Sequence, residues 1–283
     1  MRRFRIEPSA YAFLGTSVRR TLLLASMLSL LWILLPCAYL CIWAICGTAE
    51  RDQLGVPSLT WFADLLSDQD WLWSFLVSIS YALSCAAAAC VLIALFAYSI
   101  HFASRWFEAA SGASILLVIL SPVVSLALSY KYFAGVCSIP AHWAYGVGNT
   151  LMLLPIAYAG FEAAQSHVAR ERLQAGVILG ASHGSNFLYV FLPQAWRPLV
   201  SSYILCFLVS LDESVFSIML LDTGRVPVTK RLWDLVGVDS TPRPAAAAII
   251  LALAVLLLWG LAAVGARVIR HSRRSSRRKH ALL

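Results

Sequence analysis

The sequence has 283 residues, of which 60% are hydrophobic and only 13% are charged. A water-soluble domain of this length needs far more polar residues to cover its core, so the composition excludes an ordinary soluble protein and predicts a membrane protein. The formal net charge is +8, but the basic residues show neither aromatic interleaving nor the signature of a nucleic-acid-binding fold, so we expect no nucleic-acid partner.

Six apolar segments are long enough to cross a bilayer as helices, which requires roughly 20 residues each. None of them alternates apolar and polar residues with a period of two, so barrel strands are excluded. The predicted spans cover about residues 22–46, 74–100, 113–134, 144–161, 195–221 and 244–266. They predict an all-α integral membrane protein with six transmembrane helices, forming one transmembrane domain over residues 1–283. We expect the first span to be retained, since its apolar run is too long for a signal peptide.

Lys and Arg residues set the predicted orientation, because they accumulate on the cytoplasmic side of membrane proteins. With both termini in the cytoplasm, the inner segments hold most of these residues. The basic tail at residues 270–280 is then interpreted as an anchor at the lipid headgroups. On the outer side, residues 230–236 (KRLWDLV) predict a short amphipathic helix at the surface.

Motifs of catalytic and metal chemistry are missing from the sequence. It contains no H-E-x-x-H metal pair, no G-x-S-x-G elbow and no phosphate-cradling G-x-x-x-x-G-K-[ST]. The seven cysteines show no C-x-x-C spacing of a zinc site, so we interpret them as small hydrophobic residues of the apolar segments. We therefore expect no catalytic residue, metal site or cofactor in this chain, and any nucleotide hydrolysis would need a partner chain.

A long polar segment, residues 162–194, interrupts the apolar chain between the fourth and fifth spans and lies in the cytoplasm by the predicted orientation. Its sequence predicts a helix, a turn at residues 179–182, and a second helix capped by Ser182. Pro193 falls near the start of the fifth span, where a proline is tolerated. This helix-turn-helix is typical of a docking element that protrudes from a membrane domain.

The polar segment resembles the cytoplasmic loop of permease subunits in binding-protein-dependent ABC importers. That loop carries a pattern E-A-A-x-x-x-G, followed at a set distance by I-x-L-P. Gly180 and Pro193, thirteen positions apart, have the spacing of the pattern, whereas the literal Glu-Ala-Ala at residues 162–164 has Val168 where glycine is required. The resemblance implies an ATPase-coupling loop made of Gln174, Ala175, Gly176, Leu179, Gly180, Ala181, Ser182 and Pro193.

The coupling loop departs from the family pattern at one position, where Gln174 replaces the acidic residue. This change removes a negative charge from the surface that is expected to meet the ATPase. Glu171 lies three residues earlier on the same helical face and is a candidate substitute.

The resemblance extends from about residue 20 to 268 and includes the permeases of spermidine/putrescine importers. Leu154-Pro155, Leu120-Ser121-Pro122 and residues 210–220 (SLDESVFSIML) carry this likeness. It implies a multi-pass protein of the bacterial inner membrane that imports polyamines, with phosphonate, iron or thiamine as the alternative substrates. The implied partners are two ATP-binding subunits, a second permease subunit, an extracytoplasmic substrate-binding protein and the lipid bilayer.

Two acidic residues, Asp212 and Glu213, lie within the predicted fifth span, roughly 24 Å from its cytoplasmic start at about 1.5 Å per residue. Carboxylates at this depth face a water-filled path or a partner. One interpretation is that they line the substrate path and attract a cation. The other is that they pair with a neighbouring subunit or an outer-loop arginine. As helical neighbours they would point in directions about 100° apart.

Function classes other than an ABC importer have less support in the sequence. A stand-alone secondary transporter would typically show an inverted repeat or paired broken helices, and neither is evident. A membrane-embedded enzyme would need a catalytic constellation, which the sequence lacks.

Overall fold

The computed structural model describes residues 16–48, 53–103, 105–162, 170–222, 224–236, 241–257 and 260. Within these residues the secondary structure is helical, apart from an isolated antiparallel bridge between Gly47 and Leu54. The predicted all-α fold class is therefore confirmed. The predicted basic anchor at residues 270–280, the arginine-rich start of the chain and residues 163–169 of the coupling loop lie outside the described residues.

The chain divides into two compact units, residues 1–65 with 239–283 and residues 66–238. The first unit contains α1 (Thr16–Cys46), most of α2 (Thr60–Ser67) and α12 (Arg243–Leu257). An ion pair joins Arg243 Nε to Asp64 Oδ2 at 2.8 Å, and the Trp61 indole N–H donates to the Gly47 carbonyl at 3.2 Å. These two contacts fasten the short α2 helix within this unit.

The second unit holds the remaining helices. They are α3 (Gln69–Ile100), α4 (Arg105–Leu120), α5 (Val123–Val136), α6 (Ala141–Glu162), α7 (Arg170–Ile178), α8 (His183–Asn186), a π-helical turn (Phe187–Phe191), α9 (Leu192–Leu211), α10 (Val215–Leu220) and α11 (Val228–Val236). Helices α3, α6 and α9 pack against one another and enclose the main core. Buried alanines such as Ala86, Ala89 and Ala157 line these contacts, and small residues of this kind let membrane helices approach closely.

Two glycines of α6 show how tight this packing is. A Cβ atom placed on Gly148 would lie 2.5 Å from Cδ1 of the buried Phe216 ring. A Cβ atom on Gly160 would lie 2.8 Å from Ser202 Oγ on α9. Glycine at these positions therefore allows α6 to contact α9 and α10 directly.

Membrane-spanning helices agree only in part with the six predicted spans. Among the described residues, Arg20–Cys46 and Gln69–Ile100 are long and apolar enough to cross a membrane, and they match the first two predicted spans. The fourth span corresponds to α6. The sixth corresponds to α12, whose predicted continuation beyond residue 257 falls almost wholly outside the described residues.

The third and fifth spans, predicted as continuous, are broken. The third consists of two helices, Gly112–Leu120 and Val123–Val136, that meet at 104°. Pro122 lies at this bend; it has no N–H to donate and disfavours a helical conformation in the residue before it. The fifth span is interrupted after Leu211 and resumes at Val215.

Substitution of Gly148 tests the close contact between α6 and α10. We expect Gly148→Leu to lower the free energy of unfolding by about 1–3 kcal/mol, because the added side chain overpacks against Phe216. Gly135 in α5 is a matched control, since nothing lies within 4 Å of a Cβ atom placed there. Thermal unfolding of the detergent-solubilised protein should show a lower midpoint for Gly148→Leu only. Equal midpoints for the two variants would contradict this packing.

Candidate coupling loop and acidic helix break

Helix α7 ends in a Schellman turn centred on Gly180. Gly180 has a φ of +86°, in the left-handed region that glycine adopts without steric cost. Its N–H donates to the Val177 carbonyl at 3.0 Å, and the Ala181 N–H donates to the Gly176 carbonyl at 3.0 Å. This pair of hydrogen bonds defines the motif, so the turn that the sequence predicts at residues 179–182 is present, and glycine is the residue that suits it.

The second half of the helix-turn-helix begins at Ser182. Its hydroxyl accepts the Ser185 N–H at 3.2 Å and so caps α8, as the sequence predicts. A π-helical turn then leads into α9. Pro193 lies in the first turn of α9, where proline is tolerated although it has no N–H to donate. The residues from His183 to the end of α9 therefore form one continuous helical path.

A buried amide joins the two halves of the loop. Asn186 is fully buried, and its Nδ2 donates to the main-chain carbonyl of Leu173 at 2.9 Å. A Cβ atom on Gly176 would lie 2.6 Å from Asn186 Oδ1. Glycine is therefore required at position 176, the third residue of Gln174-Ala175-Gly176, because the amide of Asn186 occupies the space that the Cβ atom of an alanine would fill.

Sequence reasoning missed Asn186. The only signal it gave was an amide next to the apolar run FLYVFL at residues 187–192, which does not reveal a partner thirteen residues earlier. The contact depends on the turn at Gly180, which brings α8 back against α7.

The outer surface of the turn is apolar at its tip. Ile178 and Leu179 are 83% and 86% exposed. Gln174, Ala175 and Glu171 are also exposed on α7. The loop thus presents two large apolar side chains, with an amide and a carboxylate on the helix that precedes them.

Tyr98, near the end of α3, fastens the loop to the helix core. Its hydroxyl lies 3.2 Å from His183 Nδ1 and donates to the His183 carbonyl at 3.1 Å. Its ring packs edge-on against Phe187 and Phe191, with centroid distances of 5.4 and 5.6 Å. Displacement of α8 would therefore act directly on the end of α3.

The opposite end of α3 contacts α11, the short amphipathic helix predicted at residues 230–236. The Val228 N–H donates to Ser78 Oγ at 2.9 Å, and the Arg225 guanidinium lies 4.5 Å from the centroid of the Trp73 ring. Ser78 and Tyr98 are twenty residues apart on one helix, roughly 30 Å, which is the thickness of a bilayer core. The coupling loop and α11 therefore contact α3 at positions separated by the thickness of a membrane.

Asp212 and Glu213 lie at the break between α9 and α10 and not inside a continuous helix. Asp212 is exposed, whereas Glu213 is only 4% exposed. The Glu213 carboxylate accepts the N–H groups of Phe216 at 2.6 Å and Ser217 at 3.3 Å. The two acids thus differ in exposure to solvent. The expectation that one continuous helix carries both is wrong, because α9 ends at Leu211 and the Glu213 carboxylate caps the next helix.

Metal-binding groups do not converge in the part of the chain that the structure describes. There, His, Cys, Asp and Glu side chains form no group of three or more that could hold a metal ion.

Comparison with known proteins gives one curated relative and related solved structures. No protein-family model matches the chain. The chain is similar to the spermidine/putrescine transport system permease protein PotC of Haemophilus influenzae, with 26% identity over 223 residues that cover 76% of this chain and 86% of that protein.

Two solved transporters share structural similarity with the chain. A bacterial ABC transporter involved in the import of the acidic polysaccharide alginate superposes with a TM-score of 0.62 at 16% identity, over 88% of this chain and 98% of that one. An amino acid ABC transporter with histidines gives a TM-score of 0.49 at 17% identity, over 71% and 90%. The alginate transporter shares the fold, and PotC is 26% identical over most of both chains, so the predicted resemblance to ABC importer permeases is confirmed.

Proposed function

We propose that the chain is a membrane-spanning permease subunit of an ATP-driven ABC importer. It forms half of the translocation path and couples to a separate ATP-binding subunit. The observation that carries this proposal is the similarity to PotC over most of both chains. The chain itself carries out no covalent chemistry, and ATP hydrolysis takes place in the partner subunit.

The proposed assembly contains two ATP-binding subunits, a second permease subunit and an extracytoplasmic substrate-binding protein. The chain crosses the inner membrane of a bacterium six times, with both termini and the coupling loop in the cytoplasm. The separation of about 30 Å along α3 between the coupling loop and α11 supports this arrangement, because it matches the thickness of a bilayer core.

The coupling step is a rigid-body movement of the loop. Ile178 and Leu179 are exposed at its tip and provide an apolar surface for the ATP-binding subunit. The Schellman turn and the Asn186 hydrogen bond keep α7 and α8 in one geometry. When ATP closes the ATP-binding subunits, the loop moves with them, and the Tyr98–His183 contact transmits the displacement to α3.

Polyamines are the proposed substrates. PotC is named for spermidine and putrescine transport, and polyamines are cations that a carboxylate in the path attracts. Asp212 is exposed at the helix break and provides such a carboxylate.

A charge placed at the loop tip tests its contact with the ATP-binding subunit. We expect Leu179→Glu to reduce the amount of ATP-binding subunit that copurifies with the tagged chain by about tenfold, because the carboxylate would have to be desolvated in an apolar interface. Val236→Glu is the matched control, since Val236 is 69% exposed on α11, away from the coupling loop. An undiminished amount for Leu179→Glu would contradict docking at this tip.

The left-handed conformation of Gly180 gives a second test of coupling. We expect Gly180→Val to reduce ATP-dependent uptake by about tenfold or more, since a β-branched residue with positive φ is strained and distorts the turn. Gly184 serves as the control because it does not have a positive φ and a Cβ atom there meets nothing within 4 Å. Uptake by intact cells that produce the two variants in equal amounts measures the effect. If Gly180→Val transports as well as Gly184→Val, the turn geometry does not matter for coupling.

The charge of Asp212 tests the substrate path. We expect Asp212→Asn to raise the half-saturating spermidine concentration for uptake by about fivefold, because one attractive charge near the path is lost. Asp222→Asn, which neutralises another exposed acid beyond α10, should leave this concentration nearly unchanged. Spermidine uptake at a series of concentrations measures both variants, and an unchanged value for Asp212→Asn would exclude the residue from the path.

A further inference from the structure

The break between α9 and α10 replaces two main-chain hydrogen bonds of an ordinary helix. In a continuous α-helix the N–H groups of Phe216 and Ser217 would donate to the carbonyls of residues 212 and 213. Here both N–H groups donate to the Glu213 carboxylate instead, at 2.6 and 3.3 Å. The side chain of Glu213 therefore occupies the donors that would otherwise close the helix.

The acceptor side of the break is occupied as well. The Glu213 carbonyl, which Ser217 would use in a continuous helix, accepts the Thr229 hydroxyl at 2.7 Å in a buried position. Thr229 belongs to α11, and the neighbouring Val228 N–H donates to Ser78 Oγ of α3 at 2.9 Å. The donor and the acceptor of this helix bond thus have other partners, the Glu213 carboxylate and the Thr229 hydroxyl.

Burial separates the roles of the two acids. Glu213 is 4% exposed, and each of its carboxylate oxygens accepts a main-chain N–H. Its charge is therefore directed at the start of α10 and away from solvent. Asp212, one residue earlier, is exposed at the end of α9.

We propose that Glu213 and Thr229 are positioning residues that hold the break between α9 and α10 open, so that Asp212 alone presents its carboxylate to the translocation path. The translocation path in this statement rests on the proposed function. The hydrogen bond of Thr229 ties the break to α11. Movement of α11 away from Glu213 removes the Thr229 hydroxyl from the Glu213 carbonyl. When the Ser217 N–H then leaves the Glu213 carboxylate for this carbonyl, the helix closes and turns Asp212 about its axis.

Thiol labelling at position 212 tests this inference without any transported substrate. Asp212→Cys is introduced into the full chain in its native membrane. The rate at which a charged methanethiosulfonate reagent labels this cysteine is obtained by subtracting the labelling of the unsubstituted protein, which has its own cysteines. We expect rapid labelling in this parent variant. Adding Glu213→Ala or Thr229→Val should slow it by at least about fivefold, because a hydrogen bond that holds the break is lost.

Conservative variants distinguish these hydrogen bonds from a general effect on folding. Thr229→Ser keeps the hydroxyl and should label within about twofold of the parent. Glu213→Gln keeps an acceptor oxygen for the shorter bond from the Phe216 N–H but turns an NH2 group toward the Ser217 N–H, so its labelling rate should fall between those of the parent and Glu213→Ala. Thr150→Val is the matched control for loss of a hydroxyl, since Thr150 bonds within its own helix to the Gly146 carbonyl. Equal labelling in all variants, or equal slowing by Gln and Ala at position 213, would overturn the proposal.

Uptake measurements distinguish a failure of this inference from a failure of the proposed function. Glu213→Gln removes the charge but keeps an acceptor for the shorter capping bond, from the Phe216 N–H, so its half-saturating spermidine concentration should stay within about twofold of the unsubstituted protein. An increase as large as that of Asp212→Asn would overturn the division of roles between the two acids. Absence of ATP-dependent uptake by the unsubstituted complex would refute the proposed function, whereas the labelling rates would still report on the break.

Discussion

A bilayer offers no water to a helix that ends within it, so each interruption of a helix must supply partners for the N–H and C=O groups that it releases. The break between α9 and α10 meets this requirement with the Glu213 carboxylate on the donor side and the Thr229 hydroxyl on the acceptor side. The Gly180 turn, which the predicted orientation places in the cytoplasm, also satisfies its own main chain, with the paired bonds of the Schellman motif. In both places the residues that satisfy the backbone also determine which side chain is presented to solvent, Asp212 at the break and Leu179 at the turn.

Helix α3 connects these two regions. Near its start, Ser78 accepts a hydrogen bond from the first residue of α11, and near its end, Tyr98 contacts His183 in the coupling loop. Tight packing against α6 and α9 makes α3 a stiff element, because closely packed helices do not deform continuously. Contacts along α3 thus join the coupling loop to α11, and Thr229 joins α11 to the helix break.

The sequence was informative where local chemistry determines the structure. The turn at Gly180, the cap at Ser182 and the tolerated Pro193 each follow from a residue's own conformational preference, so their positions could be predicted. The sequence was less informative where a contact joins distant residues. The partnership of Asn186 with Leu173 and the hydrogen bond of Thr229 to Glu213 both depend on the packed fold. The hydrophobicity of the sequence also predicted one span where the structure has α9 and α10, since apolar residues flank Asp212 and Glu213 on both sides.

The central claim is that this chain acts as one permease of an ATP-driven importer, and its companions in the native membrane test that claim most directly. The tagged full-length chain is purified in a gentle detergent, and the copurifying proteins are identified by mass spectrometry. We predict an ATP-binding subunit and a second permease subunit in amounts comparable to that of the chain. Recovery of the chain alone, or only with copies of itself, would contradict this account and would favour a stand-alone secondary transporter.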